Sequence, residues 1–336
     1  MKVAILSYYS TLVSRGVETF AAELSQCLKN QVDLIVYHGK ILPGPKNKLS
    51  YLFLDPPSLA IRQFTLQILS QLKTEPPEIL MALNNGWMSL LAKQFCRRYR
   101  TKLILAGFSG LGWDDKVNLW LKPDCFIACT NYQANWARSI NPSVFVKTIN
   151  IGVNTDQFSP LGSKFNHGLK PPVVLVVAGP EPTKRVELAV KAVGCLDASL
   201  LVVGKQAPAT VDFARKTLGQ RFLNIQIDYG RLAAVYRSVA VYTLPAVSGE
   251  AYGISILEAL ASGLPVVVND DPIRRELAGP AGHYVDPGQT QAYAAALAAA
   301  INSPDPAASR RRAEQFSWEK ISWQYLRLWT DLVLST

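Results

Sequence analysis

Short apolar runs alternate with helical patterns along this whole chain, and that alternation restricts it to a parallel α/β architecture. In the first half, strands are predicted at Val3–Ser7, Asp33–Tyr37, Ile79–Leu83, Leu103–Ala106, Cys125–Ala128 and Val144–Ile149. Helices fall between them near Glu18–Leu28, Leu59–Leu72, Met88–Arg98 and Tyr132–Arg138. Lys40–Lys48, with Pro43, Gly44 and Pro45, reads as a loop. Ser159–Pro172 carries Pro160, Gly162, Gly168 and Pro171-Pro172 and reads as a linker. The alternation then resumes with strands at Val173–Val177, Leu200–Val203, Leu223–Ile227, Val239–Leu244 and Val266–Val268. Helices are expected near Val186–Gly194, Ala209–Leu218, Leu232–Tyr236, Ile254–Ala261 and Gln291–Ala300. No short tandem repeat is visible, so the repetition is one doubly wound domain after another. A length of 336 residues suits two domains, each burying its own core. The expected bounds are an N-terminal domain over 1–160, a C-terminal domain over 171–316 and a terminal helix over 317–336. That helix opens on Ser317 as N-cap and places Ile321, Tyr325, Leu328 and Leu332 on one apolar stripe.

Nearly half the residues are apolar, as in a globular chain with little disorder. Met1-Lys-Val-Ala-Ile-Leu-Ser is too short an apolar run for a signal peptide, and no stretch approaches the roughly 20 residues of a spanning helix. A soluble or peripherally attached protein is therefore expected. Cys27, Cys96, Cys125, Cys129 and Cys195 are scattered and odd in number. With only His38, His167 and His283 beside them, they read as buried free thiols of a reducing cytoplasm, not as a zinc site. The net charge of +10 calls for an acidic partner: a nucleoside diphosphate, a membrane surface or nucleic acid. Lys93, Arg97, Arg98, Arg100 and Lys102 form the densest cluster, either a helix end that favours cations or a membrane-facing patch. Arg310-Arg-Arg312 reads as a solvated helix face. No nucleic-acid motif appears.

The most telling run is Glu250-Ala-Tyr-Gly-Ile-Ser-Ile-Leu-Glu258. Glu250 falls in a strand-to-helix loop, where free backbone N–H groups converge. Glu258 falls about two turns into the helix on nearly the same face, and an acid there must face a site or be paired. Gly263-Leu-Pro-Val-Val-Val268 ends the helix and starts another buried strand.

This run, extended through Glu258-Ala-Leu-Ala-Ser-Gly263-Leu-Pro-Val-Val, resembles the Glu-x7-Glu element of retaining glycosyltransferases with the GT-B fold, the large family 4 group. The resemblance covers nearly the whole chain, densely in the second half and loosely in the first. It implies two doubly wound Rossmann-like domains facing one another across a cleft. The Phe316-Ser-Trp-Glu319 segment is similar to one that crosses back onto the first domain. Asn150-Ile-Gly152-Val153-Asn154 with Phe158 and Pro160 resembles the family's interdomain hinge, and Asn269–Glu276 matches a domain-core loop.

By that resemblance Glu258 accepts hydrogen bonds from the nucleotide's ribose hydroxyls, Glu250 holds hydroxyls of the donor sugar, and the amides of Ala251, Tyr252, Gly253 and Ile254 line the donor pocket. Ala178-Gly179-Pro-Glu-Pro-Thr-Lys184-Arg185 is similar to the family's diphosphate loop. Lys184 matches its lysine, Pro180 stands where its arginine belongs, and Arg185 is the substitute cation. Two cations at a helix start suit the charge growing on a departing diphosphate. Arg231 lies near where relatives hold the base. The Arg15-Gly16-Val-Glu18 loop resembles the family's Gly-Gly-x-Glu, with Gly16 approaching the donor. A Gly-x-Gly-x-x-Gly dinucleotide fingerprint is absent.

The first half departs more. Where many relatives carry a histidine, this chain reads Ala106-Gly-Phe-Ser-Gly110-Leu-Gly-Trp-Asp114-Asp115. Ser109, Trp113 and Asp114 are acceptor-side candidates with Asp115, and His38, at the end of the second strand, is a candidate replacement. Asp114 and Asp115 also fit a metal pair or, for Asp114, a helix cap at Lys116–Leu121. A metal is not expected, because cations and a helix end take its place in a GT-B frame.

The resemblance implies a retaining, metal-independent glycosyltransferase without cofactor, moving sugar from a nucleoside diphosphate sugar to an acceptor hydroxyl in polysaccharide or glycolipid assembly. The expected partners are a nucleotide sugar, a glycan or lipid-linked acceptor and an anionic membrane surface, with no nucleic acid. The expected location is cytoplasmic, peripheral at the inner membrane face. Pro180 and the missing histidine keep two rivals open: a nucleotide-sugar hydrolase or epimerase, and a catalytically silent nucleotide-sugar-binding scaffold.

Overall fold

Val3–Leu6 is apolar at every position, which suits a strand covered on both faces, and it forms the buried part of β1 (Lys2–Leu6). The computed structural model describes residues 1–10, 12, 16–45, 47–108, 110–247 and 252–335. They divide into unit 1, Met1–Gly152 with Trp318–Thr336, and unit 2, Val153–Ser317.

In unit 1, β1 is followed by α1 (Gly16–Leu28), β2 (Asp33–Tyr37), α2 (Pro56–Gln71), β3 (Ile79–Ala82) and α3 (Trp87–Tyr99). Then come β4 (Lys102–Ala106), α4 (Trp113–Trp120), β5 (Cys125–Ala128), α5 (Asn131–Ile140) and β6 (Val146–Thr148). The strands form a six-stranded parallel sheet in the order β2-β1-β3-β4-β5-β6. The winding direction reverses between β1 and β3, which opens a crevice at their carboxyl ends.

Unit 2 holds β7 (Val173–Val177), α6 (Val186–Gly194), β8 (Ser199–Val203), α7 (Pro208–Leu218), β9 (Phe222–Ile225) and α8 (Tyr229–Tyr236). It continues with β10 (Val241–Leu244), α9 (Ile254–Ala261), β11 (Val266–Asn269), α10 (Pro272–Ala278), β12 (Gly282–Val285), α11 (Thr290–Asn302) and α12 (Pro306–Glu314). Its parallel sheet runs β12-β11-β10-β7-β8-β9 and reverses between β7 and β10. The last helix, α13 (Trp318–Leu334), packs on α1 of unit 1, where the Phe20 ring meets Trp318 at 5.6 Å and Tyr325 at 5.4 Å. Ile321, Tyr325, Leu328 and Leu332 are its buried stripe.

Five features differ from expectation. The Ser159–Pro172 segment is not a free linker: Phe165 N donates to Ala234 O, and Arg237 donates to Ser159 O and Ser163 O, all within unit 2. Strand β12 was missed because Gly282-His-Tyr-Val lacks an apolar run; pairing with β11 makes it a strand. Residues 272–278, in a segment expected as a loop, form α10: Asp271 accepts from Arg274 N, and Pro272 takes the first helical position, where a missing N–H costs nothing. Arg310 and Arg312 are half-buried and bonded to backbone carbonyls, not a solvated face. Arg310 Nη1 lies within hydrogen-bond reach of Thr155 O, Phe158 O and Ala261 O, and Arg312 donates to Leu277 O and Glu276 O. Of the thiols, Cys96, Cys125 and Cys129 are buried, whereas Cys195 is exposed.

Candidate active site

In unit 2 the reversal between β7 and β10 brings the loops after these strands together. After β7 the chain passes Ala178 and Gly179, makes a 3₁₀ turn at Pro182–Lys184, and enters α6 through Arg185 at φ 48°. This loop is stitched to the exit of β10. Val247 N donates to Thr183 O at 2.8 Å, while Arg185 donates through Nε to Pro245 O at 2.7 Å and through Nη2 to Ala246 O at 2.9 Å. The Arg185 guanidinium thus braces the second loop, with its charge kept at this edge. Lys184 is half-buried at the end of the 3₁₀ turn.

Tyr252 is buried and leads into Gly253, whose φ of 101° and ψ of 57° lie in the left-handed region that glycine enters without strain. Ile254 then opens α9. Glu250 and Ala251 lie outside the described residues. Glu258 is only 2% exposed, and both its oxygens are engaged: the Tyr229 hydroxyl donates to Oε1 and the Tyr236 hydroxyl to Oε2, each at 2.9 Å. Burial pushes the Glu258 carboxyl up to about 7, while the two hydroxyls act in the opposite direction. Burial also holds the Tyr236 hydroxyl well above its ordinary range, so it stays a donor. Each carboxylate oxygen keeps a second lone pair able to accept from a ligand.

The two tyrosines were not legible as site residues. They stand seven apart on α8, on one face, and both meet the ring of the buried Phe158 edge to face, at 5.6 and 5.7 Å. That heptad spacing is the available signal, hidden because the expected helix starts only at Leu232, whereas α8 starts at Tyr229. Arg231, on the same helix, is exposed, with its guanidinium 5.8 Å from the Phe165 ring.

In unit 1 the corresponding edge carries a polar cluster of its own. Asn84, after β3, accepts from Tyr8 N through Oδ1 at 2.7 Å, and Asn118 Nδ2 donates to Asn85 Oδ1 at 2.7 Å. Gln133 Nε2 donates to Gly107 O at 2.6 Å and to Asp115 Oδ2 at 3.0 Å. Asp115 is fully buried, and its Oδ1 has no hydrogen-bond partner among the described residues. Burial, then Asp114, push its carboxyl up to about 8 against the Gln133 amide, which favours the protonated form. Sequence reasoning missed Asn84, Asn85, Asn118 and Gln133, because single amides in apolar surroundings carry no motif.

Trp113 begins α4 and is 52% exposed, and Asp114 follows half-buried in its first turn. Asp114 does not cap that helix: the N-cap is Gly112, with no side-chain cap bond. Gly16 is the first residue of α1, Ser109 lies outside the described residues, and His38 is exposed past β2 with Nδ1 3.1 Å from Gly39 O. The edge strand β2 places His38 one strand away from the β1–β3 crevice. Among the described residues no group of three or more His, Cys, Asp or Glu side chains is placed to hold a metal ion.

Residues 161–317 match the family described as glycosyl transferases group 1. A phosphatidyl-myo-inositol mannosyltransferase of Mycobacterium leprae is 34% identical over 154 residues, covering 41% of this chain and 39% of that protein. The same-named protein of Mycolicibacterium smegmatis is 33% identical over 145 residues, 40% of this chain and 36% of its own length. This chain therefore spans well under half the length of the curated relatives it matches. Solved structures match almost end to end. Anabaena Alr3699/HepE, in complex with UDP and glucose, gives a TM-score of 0.73 at 15% identity over 98% of this chain and 99% of that one. A glycosyltransferase from Rickettsia africae gives 0.75 at 17% identity over the full length of both. The chain has the fold of the GT-B glycosyltransferases. The matched residues 161–317 are nearly all of unit 2.

Proposed function

We propose that this chain is a retaining, metal-independent glycosyltransferase that takes a sugar from a nucleoside diphosphate and places it on the hydroxyl of a glycan or lipid-linked acceptor. The observation that supports this is in unit 2, where the Lys184 loop is bonded to the exit of β10, and α9, the next helix, carries the buried carboxylate of Glu258. Glu258 takes the ribose hydroxyls on its remaining lone pairs. The Lys184 cation, with the Arg185 charge behind it, stabilises the diphosphate as the bond from the sugar's anomeric carbon to the phosphate oxygen breaks. The acceptor oxygen bonds to that carbon on the face the diphosphate leaves, and the acceptor's proton departs with the diphosphate. Glu250 is assigned the donor sugar's hydroxyls. On the acceptor side, the Asn84–Asn85 edge of unit 1 offers amides for sugar hydroxyls, with Trp113 and Asp114 at the start of α4. The glycolipid acceptor is suggested by the names of the mycobacterial relatives, and the diphosphate by the UDP bound in Alr3699/HepE.

Nucleotide release from UDP- and GDP-sugars, with and without glycan and lipid acceptors, tests this. Release that requires an acceptor supports transfer. Acceptor-independent release replaces transfer with hydrolysis, and binding with no release under any condition replaces it with the silent scaffold.

A further inference from the structure

The loop after β7, to which the donor's diphosphate is assigned, carries little net charge. Its cations are Lys184 and Arg185, and its one carboxylate is Glu181. Glu181 folds over Gly179, since a Cβ on that glycine would run into Glu181 Oε2, so an acid faces this place. The Arg185 guanidinium already donates to Pro245 O and Ala246 O, at 2.7 and 2.9 Å. A diphosphate brings more negative charge than this loop offsets, which calls for a cation from a neighbouring element.

The next strand supplies one. β8 pairs in parallel with β7, and Gly204-Lys205-Gln206 follows it at the same carboxyl edge. That exit is fastened to the loop after β7. Gln206 Nε2 donates to Ala178 O at 2.7 Å and lies 3.3 Å from Gly179 O. Gly204, at φ 120°, passes so close that a Cβ on it would run into Ala178 O. From the other side, Asn224 Nδ2 donates to Gly204 O and Gly204 N donates to Ile225 O, each at 2.8 Å. Lys205 is thus held between two anchored residues, one strand away from Gly179.

Lys205 is exposed, and its side chain makes no hydrogen bond, ion pair or ring contact among the described residues. Arg231, further along the edge, lies instead over the Phe165 ring. In the sheet order β10-β7-β8-β9, the exits of β7 and β8 lie between those of β10 and β9. The helices that follow the outer two strands, α9 and α8, carry Glu258 and its tyrosyl donors. A lysine's four-carbon stem is longer than the roughly 4.8 Å between neighbouring strands, so Lys205 can reach a ligand seated on the loop after β7. We propose that Lys205 is a further donor ligand, its ammonium binding the diphosphate beside Lys184. A compact ammonium on a flexible stem suits this, because it meets phosphate as a point charge and needs no fixed fork. The role of Lys205 rests on the donor reading above and deepens it by naming a cation that comes from the strand beside the diphosphate loop.

The test is calorimetry of the full chain at low salt with UDP and UMP, and with GDP and GMP. Wild type is compared with Lys205→Ala, Lys205→Arg and, as control, Lys216→Ala, an exposed lysine in the last turn of α7. All are surface changes, and thermal unfolding checks that each variant is folded. Lys205→Ala is expected to lose about tenfold or more in affinity for the diphosphate that wild type binds, and less for the monophosphate. Lys205→Arg should keep most of that affinity, and Lys216→Ala all of it. The gap between wild type and Lys205→Ala should narrow at high salt, as it does for an exposed charge contact. A loop merely loosened by the substitution would show neither dependence. Lys205→Ala binding the diphosphate like wild type would overturn the proposal. So would an equal loss for monophosphate and diphosphate that salt leaves unchanged. The two readings fail differently: wild type that binds neither UDP nor GDP removes the donor site and this ligand with it, whereas normal wild-type binding with an indifferent Lys205→Ala removes Lys205 alone.

Discussion

Glu258 joins a buried carboxyl to two tyrosyl donors, so its proton is sensitive to whatever else enters the site. Its folded pKa of about 7 lies above the ordinary 4.5, so the folded protein holds this proton more tightly than the unfolded chain. The group's contribution to stability is therefore full below about 4.5, falls as pH rises to about 7, and is constant above. Glu258→Gln should abolish that decline, which amounts to roughly 3 kcal/mol, as measured by urea unfolding at pH 5 and pH 8. Ribose hydroxyls can only donate to the ionised form at full strength, so nucleotide binding should tighten as pH rises through 7. The variant should lose that tightening while sharing the pH dependence of the nucleotide's own phosphate. Parallel pH profiles for both proteins would remove Glu258 from the ribose. The acid itself was legible because a carboxylate inside Ile254–Ala261 has to be paired. Its partners were not, because tyrosines near a helix start look like ordinary amphipathic core.

Elements gain their roles from partners distant in sequence, which explains the parts that were not legible. Apolar runs such as Leu200–Val203 announced buried parallel strands, since both faces need cover. Gly282–Val285 did not, because an edge strand owes its existence to one neighbour. Likewise, the three arginines of α12 resemble a solvated face until the carbonyls of Thr155, Phe158 and Ala261 are brought beside Arg310. Arg310→Ala should therefore cost about 2–3 kcal/mol by leaving those carbonyls without their donor, whereas exposed Arg311→Ala should stay within about 0.5 kcal/mol. Equal midpoints in denaturant would place Arg310 back in solvent. The loop after β7 gives a second contrast. Arg185→Ala removes two bonds that hold the β10 exit and should lower the melting temperature as well as turnover. Lys184→Ala should depress turnover with little change in melting. The reverse pattern would exchange their roles.

At the scale of the whole molecule, two doubly wound units repeat one device, a strand-order reversal that gathers loops at carboxyl edges. Unit 2 carries the family match and the donor chemistry assigned above. Unit 1 carries the polar edge at Asn84 and Asn85. The architecture was legible because alternation of strand and helix patterns spans the chain. The polar edge of unit 1 was legible only at Trp113, Asp114 and Asp115, because the single amides Asn84, Asn85, Asn118 and Gln133 leave no spacing to read. If Lys184 and Arg185 take the leaving diphosphate as proposed, turnover should survive EDTA; a complete loss restored by magnesium or manganese would turn attention to Asp114 and Asp115. The central claim is that a nucleoside diphosphate occupies the crevice between β7 and β10. Hydrogen exchange with and without saturating UDP or GDP tests it most directly. Slowed exchange should appear at 178–186, 229–236 and 252–258, and exchange left unchanged there by both nucleotides, or slowed only in unit 1, would contradict it.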